Sequence, residues 1–146
     1  MLARIHPLAR LAGAAAIAAL TVVPTTGSAQ AASPWLNDPN SCTGQHTVVG
    51  ADVEGRRVEV RVGNCNGRQY GWGRIRGYDS SEPDYIRFEV DVNGDRRPDG
   101  HSWRLARQRN YTAAYPTSSS PSRAFRACFV KSRQQVCNSR NSTRWW

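Results

Sequence analysis

The stretch Tyr85-Ile86-Arg87-Phe88-Glu89-Val90-Asp91-Val92 alternates strictly along its length. Side chains on a strand point to opposite faces in turn, so Ile86, Phe88, Val90 and Val92 share one face. Tyr85, Arg87, Glu89 and Asp91 share the other. A helix would scatter both sets around its circumference, so the period commits this segment to a half-buried strand. Arg57-Val58-Glu59-Val60-Arg61-Val62 repeats the pattern, with three valines inward and three charges outward. Apart from an N-terminal apolar run, no stretch carries a sustained helical period. The expected fold is all-β: a small disulfide-bridged antiparallel β-sandwich or barrel of about seven or eight short strands.

The remaining strands are read in chain order. Thr47–Val53 forms a first strand, and Glu54-Gly55 turns it tightly into the valine strand as an antiparallel hairpin. Gly63-Asn64-Cys65-Asn66-Gly67 is a turn cluster. After it, Gly71, Gly73, Ile75 and Gly77 alternate with Tyr70, Trp72, Arg74, Arg76 and Tyr78. The glycine face admits a bulky core side chain or another backbone. The opposite face interleaves aromatic rings with guanidinium groups, a pattern suited to stacking on bases or sugar rings. The same rings and guanidinium groups also satisfy one another by cation–π contact. Ser102–Arg107 resumes alternation with Trp103 and Leu105 inward, a short strand lies around Tyr111–Ala114, and Ala124–Val130 reads as a buried strand.

The chain opens with a short basic region containing Arg4 and Arg10. The apolar run Leu11–Val23 follows, about thirteen residues and too short for a membrane span. Small residues at Ala29 and Ala31 complete the pattern of a secretory signal over residues 1–31. Residues 32–41, polar and proline-punctuated, form an irregular leader, and 42–146 a single β domain. Export brings Cys42, Cys65, Cys128 and Cys137 into an oxidising compartment, where two disulfides are expected. The sequential pairing, Cys42 with Cys65 and Cys128 with Cys137, is the one expected here. Without Arg4 and Arg10 the chain holds 18 basic residues against 11 acidic ones, a net charge of +7. That balance favours an anionic extracellular macromolecule as partner.

Asp91, Asn93, Asp95 and Asp99 fall at positions 1, 3, 5 and 9 of a loop, spacing that suits a hard cation such as calcium. Asp-Val-Asn-Gly-Asp-Arg-Arg-Pro-Asp resembles the calcium-binding loops of dockerin, thrombospondin type 3 and FG-GAP-like repeats over about nine residues. The resemblance implies a calcium site at those four residues. It departs at position 6, where Arg96 replaces the usual glycine, and at position 12, where Ser102 replaces a bidentate glutamate. Read without a metal, Asn93-Gly94 is a type I′ hairpin turn and the acids pair with neighbouring arginines. At whole-chain level the signal, the paired cysteines, the Arg-Ala-Cys stretch and the Trp145-Trp146 end resemble small secreted proteins of high-GC Gram-positive bacteria. That resemblance implies an address and a size class, and no activity.

Three functions follow. The first is a secreted, non-catalytic binding domain using the Tyr70–Tyr78 face. The second is a small acid–base nuclease, for which His101, Glu82 and Arg104 would have to assemble. The third is an extracellular protease inhibitor, in which Pro116 and Pro121 stiffen the serine-rich loop Tyr115–Ser122. No catalytic residue is assigned, and no serine-hydrolase elbow is present.

Overall fold

A computed structural model describes residues 32–146; residues 1–31, expected to be a secretory signal, lie outside the described residues. Seven strands form: β1 (Thr43–Val53), β2 (Arg56–Cys65), β3 (Arg68–Arg76), β4 (Tyr85–Asp91), β5 (Gly100–Leu105), β6 (Tyr115–Pro116) and β7 (Ala124–Val130). They make two antiparallel sheets, β1-β2-β3-β6 and β5-β4-β7, with no helix among the described residues. Both predicted disulfides, Cys42–Cys65 and Cys128–Cys137, are present.

The alternating patterns place the core. Val58 and Val60 of β2 and Ile75 of β3 meet Ile86, Phe88 and Val90 of β4 and Phe125, Ala127 and Phe129 of β7. The glycine face of β3 lets the phenylalanines in. A Cβ at Gly71 would lie 2.7 Å from Phe125, and one at Gly73 would lie 3.1 Å from Phe88. The two tight turns are set by local backbone: Glu54-Gly55 and Asn66-Gly67 both hold positive φ at both residues, as a type I′ hairpin requires. Trp35, inside the leader, packs edge-on against Phe88 and Tyr115.

Several expectations are corrected. Trp103 and Leu105 pair with Arg87 and Tyr85 and therefore lie on the outer face, because opposed residues share a face. Ser102 and Arg104 take the inner side instead. Tyr111–Ala114 is no separate strand. Its ends make isolated bridges to Arg74 and Leu36. Val92 is exposed, since β4 ends at Asp91.

The polar face of β4 is as deeply buried as its apolar face, with Glu89 fully enclosed. Arg87 Nε donates to Glu89 Oε1 (2.8 Å) and Arg126 Nε to Oε2 (2.8 Å), while the Cys137 amide also reaches Oε1 (3.3 Å). Segment 141–146 covers the free edge of β7 through Phe129–Asn141, Ala127–Thr143 and paired Phe125–Trp146 backbone bonds. Breaking a buried ion pair from one side leaves a desolvated charge. Glu89→Ala is therefore expected to lower unfolding free energy by about 3–5 kcal/mol, read from the denaturant midpoint.

Asp84 joins the same scheme at the start of β4. Burial alone would raise its pKa. Hydrogen bonds from Arg56, the Asp79 amide and Lys131 outweigh that and hold it below the ordinary carboxylate value. A carboxylate depressed in the folded state stabilises above its unfolded pKa, and that contribution is lost as pH falls through the folded one. The stability gap between wild type and Asp84→Asn should be full at neutral pH and close below about pH 4 in acid titrations.

Candidate functional site

The two-residue turn at Asn66-Gly67 fixes the β2–β3 register, so Arg61 stands opposite Trp72 and Glu59 opposite Arg74. All four project onto the outer face of the four-stranded sheet, away from the core. Trp72 is nonetheless only 2% exposed. Two straps cover it. Segment 110–116 runs along β3, with Ile75 donating to Asn110 O, and with Thr112 and Gly73 bonded in both directions. The leader docks against that segment through reciprocal Leu36–Ala114 bonds and ends at Cys42, tied to Cys65 of β2. Gln45 Nε2 donates to the carbonyls of Asn40 (3.0 Å) and Cys42 (2.9 Å), fixing the strap's path. Cys42, Cys65, Trp72 and Ala114 thereby form a second small core, with Leu36, Tyr70 and Tyr111 against it.

Between strap and sheet lies a pocket of about 160 Å³ lined by Pro39, Asn40, Gln45, Arg61, Trp72, Arg74, Asn110 and Tyr111. Arg74 is neutralised locally: its Nε and Nη2 both lie 2.7 Å from Glu59 Oε2, and Arg76 takes the other oxygen. Arg61 is not. It is half-buried, has no carboxylate at ion-pair distance among the described residues, and donates only to Thr47 Oγ1 (3.2 Å). Burial first, and then the neighbouring Arg74 guanidinium, push its pKa below the ordinary arginine value. The pocket thus presents an underused cation beside aromatic walls. Tyr111 donates to Asp38 (3.2 Å), and burial together with that bond raises its pKa, keeping the phenol protonated.

Of the five residues expected to form a stacking face, Trp72 and Arg74 line this pocket. Tyr70 is half-buried against the second core, and Arg76 is exposed and held by Glu59. The alternation ends at Gly77, whose φ is +66°, and Tyr78 packs instead on the main core. The rings therefore offer no open stacking platform. Arg61, Asn40, Gln45, Asn110 and Tyr111 went unrecognised in the sequence. The signal for Arg61 was the turn register, which puts it opposite Trp72.

The nuclease residues do not assemble. His101 is exposed on the outer face opposite Glu89, whereas Arg104 takes the opposite face, bonded to Asn37 and the Trp103 carbonyl. Glu82 sits in the loop before β4, near Lys131, beyond Tyr85. Tyr85 and Glu89 alone are four residues apart, about 13 Å along the strand. Partial desolvation of the ring where it lies on the sheet, followed by Arg87, lowers the His101 pKa. In the loop proposed as inhibitory, Tyr115–Pro116 pair with Gly71 and Tyr70, and Thr117 bonds to Gln69.

The acidic loop is not a two-residue turn, because β5 resumes only at Gly100. Asp91, fully buried, accepts from the Asn93 and Gly94 amides on Oδ1 and from the Arg96 amide and Nη1 on Oδ2 (both 2.8 Å). Asp99 accepts from the Val92 amide and from Asn93 Nδ2, Asn93 from the Asp95 amide, and Asp95 from the Arg97 amide. Arg96 holds φ +61°, the conformation calcium loops give to glycine, and brings its guanidinium to Asp91. Among the described residues, no three His, Cys, Asp or Glu side chains are grouped to hold a metal ion. Arg96 already pairs with Asp91, so the unfolding midpoint is expected to be the same in calcium and in chelator. A rise with calcium would return these four residues to a metal site.

The chain matches no protein-family model, no curated protein and no solved structure.

Proposed function

We propose that the chain is a secreted, non-catalytic binding domain that takes an anionic group of an extracellular macromolecule in the Arg61–Arg74 pocket. The observation that carries this reading is Arg61, a half-buried guanidinium with one hydroxyl acceptor in a pocket free of carboxylates. Burying a charge without a partner is costly, and an incoming anion supplies the missing acceptor. The size of the pocket fits one group of a larger ligand, since sites enclosing a whole small molecule run to about 300–1,000 Å³. Its lining includes no histidine and no carboxylate, the side chains that most often serve as a general base near neutral pH. Two disulfides agree with an oxidising, extracellular address. Among the described residues no helix is long and apolar enough to cross a membrane.

The test uses polygalacturonate, polyphosphate and dextran sulfate as carboxylate, phosphate and sulfate probes, titrated calorimetrically at fixed salt. At least one should bind, and Arg61→Gln should weaken it about tenfold or more. Arg107→Gln, which removes the same charge from an exposed turn, should matter little. Equal losses for both variants would reduce the effect to net charge, and no binding by wild type would end the proposal.

A further inference from the structure

Four half-buried arginines have no carboxylate at ion-pair distance among the described residues: Arg61, Arg104, Arg109 and Arg123. Arg104 and Arg109 each have two oxygen acceptors. Arg123 resembles Arg61 in having one, the Pro116 carbonyl (2.6 Å from Nη1). Its guanidinium lies over the Tyr115 ring, 5.1 Å from the centroid. Its Nε is the one buried side-chain nitrogen or oxygen without a hydrogen-bond partner among the described residues.

Arg123 borders a second cleft of about 140 Å³, whose other walls are Thr117, Ser118, Phe125 and Trp146. Trp146 is 41% exposed. It is also firmly placed: its backbone exchanges two hydrogen bonds with Phe125 (2.8 and 2.9 Å), and its ring stacks on Phe125 at an interplanar angle of 26°. A flat ring surface is thus presented beside a cation, both already ordered, which lowers the entropic cost of binding. At about 140 Å³ the cleft seats one ring of a ligand and leaves the remainder outside it.

We propose that this cleft binds a six-membered ring carrying one carboxylate, either a planar aromatic ring or the C–H face of a pyranose set against Trp146 and Phe125, with the carboxylate on Arg123. The shared chemistry has two sources, an aromatic acid or a uronic-acid sugar. The site is independent of the Arg61 pocket.

The full chain, labelled with nitrogen-15, is titrated with benzoate, glucuronate, acetate and benzyl alcohol, following the indole and arginine side-chain signals by NMR. Benzoate or glucuronate should shift the Trp146 and Arg123 signals saturably, and whichever binds identifies the source. Acetate, lacking the ring, and benzyl alcohol, lacking the charge, should each bind about tenfold more weakly or worse. Arg123→Gln and Trp146→Ala should each cost about tenfold in affinity with the rest of the spectrum unchanged, whereas Arg61→Gln should leave it intact. Should either variant unfold, Arg123→Lys and Trp146→Leu take its place. No response to benzoate or glucuronate, or equal affinity for acetate or benzyl alcohol, would overturn the proposal.

Discussion

Glu89 is the point on which the three-stranded sheet turns. A carboxylate with no solvent contact survives in the centre of β4 because Arg87, Arg126 and the Cys137 amide occupy its oxygens. Removing such a charge from water costs several kcal/mol, so the arrangement holds only when every partner is in place. Those partners come from β4, from β7 and from the loop closed by the Cys128–Cys137 disulfide. One side chain therefore ties the sheet to the segment that covers its outer face. Glu59, Asp84 and Asp91 repeat the solution, each buried and each met by arginine.

This matching gives meaning to the arginines left over. A basic surface alone says little about partners, because exposed guanidinium groups are well solvated. Arg61 and Arg123 differ: each is half-buried, each has a single acceptor, and each borders a cleft with aromatic walls. In a molecule that satisfies its buried acids so fully, partly desolvated cations with spare donors are the places where an outside anion gains most.

The acidic loop shows the same economy of charge. Its side-chain oxygens keep the spacing of a calcium loop, Arg96 keeps the backbone twist, and the Arg96 guanidinium pairs with Asp91. The oxygens turn to backbone amides, which a bare hairpin turn would not have required.

The sequence by itself determined the long strands of both sheets, the pairing of its cysteines into two disulfides and the tight turn at Glu54-Gly55, though not the Tyr115–Pro116 strand or the shape of the acidic loop. Each rests on local physics: the period-two pattern, an even number of cysteines, and residues that tolerate positive φ. It also held the β2–β3 register, since pairing outward from Asn66-Gly67 brings Arg61 to Trp72. Only the tertiary structure decided which polar faces are buried. Trp72, Glu59 and Glu89 all read as outward residues, and outward they are, yet all three are covered. The Leu36–Cys42 strap and the 110–116 segment close over Trp72; Arg74 and Arg76 close over Glu59, and the Cys137 end of the disulfide loop with Arg126 over Glu89. Alternation reports the side of a sheet on which a residue stands. What distant chain lies above it is a non-local contact, and no local pattern encodes that.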